Sequence, residues 1–250
     1  MAAVRRFGAS PSCVHAGCLQ AFQWGLSMFK VIALLKRKPG MSVEDFQYYW
    51  RYKHGPLVAG RAEVRRHVQS SALLQGYQKG ELLFDGISET WFDSAQVYEA
   101  YQHDPASSVI LADQANFVDR SRTVLMPVDV HVIKDGVISK DAVKNIEFLN
   151  RRPGMALEPF REYWRNVHGP IASRISVVQR YEQNHLKPSV YEAEATPPYD
   201  GLAIAWFAST ADMKKGTTTP EYAVTRADEP NFLPDVHLPI IITREHLVVG

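Results

Sequence analysis

Two histidines occupy equivalent places in a repeated helical pattern. Helical spacing places His54 on the same stripe as Trp50, and His168 on the same stripe as Trp164. Histidine has an unperturbed pKa near 6.5, so an imidazole can shuttle a proton at neutral pH, as dehydration, enolisation and isomerisation next to a carbonyl require. We therefore expect both histidines to be catalytic. The alternative is that a histidine before Gly-Pro caps the C-terminus of its helix, where positive charge is favoured by about 0.3 to 1 kcal/mol.

A second candidate pair lies near the end of the chain. Glu245 and His246 are adjacent in the last predicted strand, whereas the equivalent positions earlier in the chain hold Val130 and His131. If the glutamate and the histidine act together, the second half carries the working site. The alternative is a strand histidine that bonds a neighbouring backbone carbonyl.

Seven further side chains are predicted to bind substrate. The aromatic ones offer hydroxyl or indole donors, although an aromatic stripe at helical spacing forms core more often than a ligand site. The histidines lie in predicted strands whose polar groups differ between the halves. These candidates are Tyr49, Trp50, Tyr163, Trp164, His67, His131 and His185. Four aspartates at element boundaries are instead expected to cap turns, namely Asp85, Asp113, Asp200 and Asp228.

Several classes of function lack support in the sequence. The formal net charge of +1 gives no electrostatic case for a nucleic-acid or membrane partner. Metal-binding spacings of His and Cys, a P-loop, a G-x-G-x-x-G fingerprint and a G-x-S-x-G elbow are missing, so we predict no metal and no nucleotide cofactor. The two cysteines, Cys13 and Cys18, indicate a reducing, cytoplasmic setting, and no apolar run is long enough for a transmembrane helix.

The elements that position these residues occur twice. Residues 36–56 read KRKPGMSVEDFQYYWRYKHGP and residues 150–170 read NRRPGMALEPFREYWRNVHGP, with 12 of 21 positions identical. The match continues with one extra residue through Asp-Gly, Trp-Phe and the pair ADQANF and ADEPNF. A collinear repeat of this kind indicates a tandem duplication, with modules at 28–134 and 142–250.

Each half is predicted to contain β-α-β-β-α-β elements. An apolar run ends at a Pro-Gly turn, a helix capped by Ser42 is stopped by Gly55 and Pro56, and strands follow near residues 65–74, 86–92 and 123–133. This order predicts an α+β fold of two ferredoxin-like modules whose sheets cover each other in one intramolecular, pseudo-dimeric α+β barrel. Small residues such as Ala203 and Ala205 are expected to face the other sheet and to leave room there for a ligand.

The first 27 residues differ from the rest of the chain. They contain Arg5 and Arg6 but no acidic residue, since the first acid is Glu44. Three interpretations stay open: a targeting segment, a start site that belongs at Met28, or an ordered extension. We predict that folding begins near Met28.

The motifs together resemble the EthD family of the dimeric α+β barrel superfamily. These motifs are RPGM, a helix ending in YW and followed by HGP, DG before a strand, AD-x-x-NF, and the terminal TREHLVV. The resemblance implies a barrel without a built-in cofactor, in a group that includes dehydratases of aromatic polyketides and proteins encoded beside ether-degrading systems. It also implies that two modules normally meet by dimerisation, whereas here they are fused.

We expect a cofactor-independent lyase or isomerase, most plausibly dehydratase-like, that acts on a hydrophobic aromatic or cyclic carbonyl compound. Two alternatives stay open, a non-catalytic binding or accessory protein of an oxidative pathway and a cofactor-free monooxygenase. The expected partners are a small hydrophobic substrate and a second copy of the fused barrel.

Overall fold

The computed structural model describes residues 28–193 and 196–250. The first half contains β1 (Phe29–Leu35), α1 (Val43–Tyr49), a π-helical turn (Trp50–His54), α2 (Gly55–Ala59), β2 (Arg66–Ala72), a 3-10 turn (Leu74–Lys79), β3 (Gly86–Phe92), α3 (Ala95–His103), α4 (Pro105–Gln114), a 3-10 turn (Arg120–Arg122) and β4 (Val124–Lys134). The prediction about residues 1–27 concerns a segment outside the described residues.

The second half repeats this order with one added helix. It contains β5 (Val143–Leu149), α5 (Leu157–Tyr163), a π-helical turn (Trp164–His168), α6 (Gly169–Ala172), β6 (Val178–Leu186), α7 (Pro188–Ala193), β7 (Gly201–Phe207), α8 (Thr210–Gly216), α9 (Pro220–Asp228), a 3-10 turn (Glu229–Asn231) and β8 (Ile240–Val249). The helices found within the described ranges are all too short or too polar to span a bilayer.

The eight strands form one closed antiparallel barrel. Their order is β1-β3-β2-β8-β5-β7-β6-β4, and β4 pairs with β1 to close the ring. The halves meet at two seams, where β2 pairs with β8 and β4 pairs with β6. At each seam an outer strand of one half hydrogen-bonds to an outer strand of the other half. The predicted α+β class and the single barrel are confirmed. Closure leaves no free sheet edge, which stabilises the fold against edge-to-edge association.

The interior of the barrel is filled with side chains. Large apolar residues from both halves, including Ile32, Ile87, Phe148 and Trp206, pack there in one cluster. Alternate residues on the same strands point outward and pack under the helices. The expectation of a ligand void between the two sheets is therefore wrong, because bulky residues from every second strand position occupy that space.

A buried ionic network also crosses the interior. Glu89 pairs with Lys30 at 2.7 Å and with Lys144 at 2.5 Å. The two lysines occupy equivalent positions in the two halves, and Lys144 also contacts Glu245 at 2.7 Å. A single glutamate thus joins the two repeats by charge-assisted bonds inside the barrel.

The helix that carries each candidate histidine does not stop at Gly-Pro. Ser42 caps α1 as predicted by accepting from the Asp45 N–H, but the chain then widens into a π-helical turn and continues through Gly55 and Pro56 to Ala59. Proline lacks an N–H and its ring clashes with the carbonyl four residues earlier, which breaks a regular α-helix. The wider π turn accommodates that proline, and such turns are frequent at functional sites. The predicted helix end at Gly55 is therefore wrong.

Candidate functional site

The first cavity lies outside the barrel, between the outer face of the sheet and its covering helices. It has a volume of about 240 Å³. Strands β1 and β3 form its floor, α3 and α4 form its roof, and the π-helical turn closes one side. Its walls are mainly apolar and aromatic, with Phe92, Tyr98, Tyr101 and Phe117 among the lining residues.

His54 lines this cavity and is held there by a carboxylate. Its Nδ1 lies 2.8 Å from Oδ2 of Asp113, whose other oxygen accepts from the Tyr49 hydroxyl at 2.7 Å and from the Asn116 amide at 3.1 Å. The Asp113 carboxylate therefore fixes the tautomer with the proton on Nδ1 and leaves Nε2 of this cavity-lining ring as an acceptor.

The charge states of this group suit a base. Burial by itself raises the pKa of Asp113, but the hydrogen bonds from Tyr49, His54 and Asn116 outweigh it and lower that pKa. Burial lowers the pKa of His54 below 6.5, against the opposing effect of Asp113. At neutral pH the aspartate is thus ionised and the imidazole is neutral, with a free lone pair on Nε2.

A second imidazole lines the same cavity. His67 is only 4% exposed, and its Nδ1 lies 2.8 Å from the Thr90 hydroxyl oxygen. Its Nε2 is buried without a hydrogen-bond partner among the described residues. Burial, reinforced by the nearby His54, lowers the pKa of His67 to about 3. The ring is therefore neutral, and its unpaired nitrogen is a group that a ligand would satisfy.

The second half carries an equivalent cavity of about 170 Å³. His168 lines it, with Nδ1 at 2.9 Å from Oδ2 of Asp228, and Tyr163 donates to the other Asp228 oxygen at 2.6 Å. Burial again lowers the pKa of His168 below 6.5 despite Asp228. The duplication has therefore preserved the tyrosine, aspartate and histidine group together with the cavity.

The remaining walls of the two cavities have diverged. The second cavity has Glu147 and Glu229 at the positions that Ala33 and Gln114 hold in the first, and Tyr181 at the position of His67. In addition, Ala203 and Ala205 replace Ser88 and Thr90. These alanines face the helices rather than the opposite sheet, so their predicted orientation is wrong, although they do line a cavity.

The two tryptophans are wedged between helix and sheet. Trp50 and Trp164 are both fully buried, and a Cβ on Gly86 or on Gly201 would lie 2.4 or 2.7 Å from the ring of its tryptophan. This close approach explains the glycine in the repeated Asp-Gly motif. Trp50 lines the first cavity, whereas Trp164 stacks on His185 at 4.2 Å between ring centroids.

Tyr49 and Tyr163 do not line the cavities. They act through the aspartates, as described above, and are positioning residues rather than substrate contacts. Asp85 and Asp200 fit the predicted structural role. Each accepts from the arginine that lies two residues before the repeated Pro-Gly, Arg37 or Arg151, and from a tyrosine hydroxyl. Tyr77 and Tyr191 donate at 2.6 and 2.5 Å.

Glu245 and His246 point to opposite sides of strand β8. Glu245 faces the barrel interior, where it contacts Lys144 at 2.7 Å and accepts from Trp206 Nε1 at 3.3 Å. His246 pairs in register with Gln69, whose side chain donates outward to the Trp50 carbonyl. Adjacent strand residues alternate between faces, so the predicted Glu-His pair is wrong.

His131 and His185 meet each other at the other seam. Their rings lie 4.7 Å apart in an edge-to-face arrangement. Burial lowers the pKa of both, that of His185 to about 2 with help from His131. Neither residue lines the two cavities, so their predicted contact with substrate has no support from the geometry.

The sequence interpretation did not identify the aspartates that hydrogen-bond the two histidines. Asp113 and Asp228 were expected to cap turns, but they bond the imidazoles of His54 and His168. The usable signal was their repetition inside AD-x-x-NF, with an asparagine three residues later that donates to the same carboxylate. Within residues 28–193 and 196–250, no group of three or more His, Cys, Asp or Glu side chains is arranged to hold a metal ion.

Solved structures with the same fold are only distantly similar in sequence. An anthrone oxidase-like protein superposes with a TM-score of 0.62 at 7% identity, covering 90% of this chain and 94% of its own. A protein of Fusobacterium nucleatum provisionally named a monooxygenase gives a TM-score of 0.58 at 7% identity, with coverage of 89% and 94%. Another with that provisional name, from Lactobacillus acidophilus, gives 0.56 at 9% identity, with coverage of 88% and 95%.

No curated protein matches the chain at a significant level. The model of the EthD domain matches residues 38–121 and again residues 152–235. These two matches cover more than half of the chain in the order and spacing of the duplication, and the chain therefore belongs to the EthD family as a tandem of two EthD domains.

Proposed function

We propose that the protein is a cofactor-independent lyase or isomerase, dehydratase-like in its chemistry, that acts on a hydrophobic aromatic or cyclic carbonyl compound. The observation that carries the proposal is His54, a neutral imidazole whose Nδ1 is bonded to Asp113 and whose ring lines an apolar, aromatic cavity. His168 offers the same group in the second cavity.

The first cavity supplies both a base and a hydrogen-bond donor. We place the substrate carbonyl at Nε2 of His67. If the Thr90 hydroxyl donates to Nδ1 of His67, that ring carries its proton on Nε2 and donates to the carbonyl oxygen. A neutral imidazole is a weak acid. It therefore stabilises the enolate oxygen by a hydrogen bond and does not transfer its proton to that oxygen.

The proton then moves through His54. Its Nε2 removes a proton from the carbon next to the carbonyl, and Asp113 stabilises the imidazolium that forms. In an isomerisation the same imidazolium returns the proton to another carbon. In a dehydration it protonates the hydroxyl that leaves the neighbouring carbon, and the products are water and an unsaturated carbonyl compound. Neither route changes the oxidation state, so no redox cofactor is needed.

Exchange of substrate hydrogen for solvent deuterium tests this proposal. We expect the protein to accelerate exchange of the α-protons of 2-tetralone in D2O, followed by proton NMR, because this ketone is aromatic, cyclic and readily enolised. His54→Gln should reduce the protein-dependent rate by about a hundredfold or more, the scale of general base catalysis. His168→Gln reports separately on the second cavity. If the protein binds 2-tetralone but exchange is no faster than in buffer, the proposal is refuted. That result would favour a non-catalytic binding protein.

A cofactor-free monooxygenase is the second candidate. The names of the structural neighbours motivate it, since one is anthrone oxidase-like and two are provisionally called monooxygenases. The same base could form the carbanion that reacts with oxygen, so both functions share the first step. Anthrone in an oxygen electrode separates them, because only the oxygenase consumes oxygen in proportion to substrate lost.

We also infer how the tandem architecture arose. Each half has the strand order β4-β1-β3-β2 or β8-β5-β7-β6, which is the arrangement expected of a ferredoxin-like module. The two halves would then stand for the two protomers of a dimeric α+β barrel, fused through residues 135–141. Fusion leaves each cavity free to change separately, and their wall residues have done so.

A further inference from the structure

The second cavity is lined by hydrogen-bond acceptors that have no cationic partner among the described residues. Glu147 lines it, and within the same residues its carboxylate accepts a single long bond, from the Asn145 amide at 3.4 Å. The Oδ1 atom of Asn145 is buried and has no partner among the described residues. His168 adds Nε2, because its Nδ1 is bonded to Asp228. Three acceptors, two from β5 and one from the π-helical turn, therefore line one cavity.

The cationic donor beside this cavity is already paired. Arg226 is the nearest cation, and its Nη1 bonds Glu229 at 2.5 Å on the same helical surface. Within the described part of the chain, no lysine, arginine or histidine forms an ion pair with Glu147. Burial raises the pKa of Glu147, and burial together with Glu147 and Asp228 raises that of Glu229 to about 7 despite Arg226. Glu147 is half-buried, and a half-buried carboxylate without a cation bears part of the effective penalty of about several kcal/mol for a buried ion.

The first cavity shows that the fold does not need this carboxyl group. The position of Glu147 is occupied there by Ala33, and that of Asn145 by Val31. The α-helices and strands around the two cavities are otherwise equivalent, so neither residue is required to build the cavity. An acid maintained at an energetic cost in only one of two equivalent sites points to a ligand that offsets the cost.

We propose that the second cavity binds a small apolar primary amine as its ammonium ion. The three N–H donors of an ammonium group match the three unused acceptors, with the Glu147 carboxylate as counter-ion. Ile175, Val178 and Phe207 provide the apolar wall for the rest of the molecule. The cavity volume of about 170 Å³ suits a single ring, since a cavity of about 150 Å³ holds benzene.

Calorimetric titration of the full-length protein with benzylamine and benzyl alcohol tests the proposal. These probes have the same ring and differ in whether the polar group is a cation. We expect benzylamine to bind at least about tenfold more tightly, because a desolvated charge pair contributes more than a neutral hydrogen bond. Glu147→Gln should remove this preference while keeping the shape of the side chain. Glu158→Gln is the matched control, since it removes an acid that is 70% exposed on α5.

Two outcomes would overturn the proposal. One is equal affinity of the native protein for both probes, and the other is a preference for benzylamine that survives Glu147→Gln. Glu147→Ala, which installs the residue of the first cavity, provides a second test if the glutamine variant folds poorly. The proposal does not depend on proton transfer in the first cavity, and ketone exchange by the His54 variant is measured separately, so the two failures are distinguishable.

Discussion

Replacing Glu89 by glutamine should destabilise the barrel at neutral pH. Glu89 lies 1% exposed between Lys30 and Lys144, at 2.7 and 2.5 Å from their ammonium groups. The substitution keeps the shape of the side chain but leaves both buried cations without their shared anion. Lys144 retains Glu245, whereas Lys30 retains Glu182 at 3.7 Å and the neutral Asn184 amide oxygen at 2.8 Å.

The size of the effect follows from the pKa of Glu89. Burial by itself raises that pKa, but the two lysines overcome it and lower the pKa from 4.5 to about 2. A depression of this size corresponds to about 3 kcal/mol of unfolding free energy, which agrees with about 3 to 5 kcal/mol for breaking a buried ion pair. In a chain of this length we expect the melting temperature to fall by about 6 to 12 °C.

The pH dependence provides the sharper assay. The folded pKa is depressed, so the stabilisation by Glu89 is present above pH 4.5 and is lost as the pH falls toward about 2. Urea unfolding of the native protein and of Glu89→Gln should therefore differ most at pH 7 and converge near pH 2. Glu81→Gln is the control, because the pKa of Glu81 is also lowered to about 2 but its side chain is 64% exposed and solvent screens the pairing. Equal effects of the two substitutions at pH 7 would refute the reasoning.

Three further predictions concern the cavities. Gly86→Ala places a Cβ 2.4 Å from the ring of Trp50. We expect thermal unfolding to report a decrease of about 1 to 3 kcal/mol in unfolding free energy, because the site becomes overpacked. An unchanged melting temperature would contradict the close packing of Trp50 on Gly86. Glu147→Gln should raise the melting temperature in the absence of ligand, because it removes a half-buried acid that lacks a cation among the described residues. A lower melting temperature would argue that the carboxyl group is structural. The ketone exchange rate should rise with pH through a midpoint below 6.5 and level off by pH 7, because only neutral His54 is a base and its pKa is lowered; a midpoint above 6.5 would contradict the assignment.

The repeat allowed the fold to be predicted well from the sequence. The strand at Gly86–Phe92 is confirmed at its predicted bounds, and the strand predicted at residues 123–133 is observed at Val124–Lys134. Strand composition and turn residues are local signals, so these elements follow from short stretches of sequence. Barrel closure could be predicted because the apolar face of each sheet needs a second sheet to cover it.

The orientation of the sheet faces could not be predicted in the same way. In β7, Leu202 and Ile204 face the barrel interior while Ala203 and Ala205 face the helices, yet both sets are apolar. Alternation separates the two faces of a strand but does not say which one is covered by helices when both are buried. The location of the cavities depended on that choice.

Only part of the candidate site could be predicted from the sequence. His54 and His168 stood out through their repeated position, but their aspartates lie 59 and 60 residues away. Contacts at that separation leave no local spacing pattern, because they are created by packing of α4 or α9 against the π-helical turn. The π turn itself was hidden because Gly-Pro ordinarily ends a helix.

The protonation state of His54 tests the central claim most directly. Nitrogen-15 NMR of the imidazole, assigned with His54→Gln, reports its tautomer and pKa without requiring the natural substrate. The structure predicts a neutral ring at pH 7 that is protonated on Nδ1, with an Nε2 resonance that shifts when 2-tetralone is added. A ring protonated on Nε2 at pH 7, or an Nε2 resonance that does not respond to a bound ketone, would contradict a base that faces the ligand cavity.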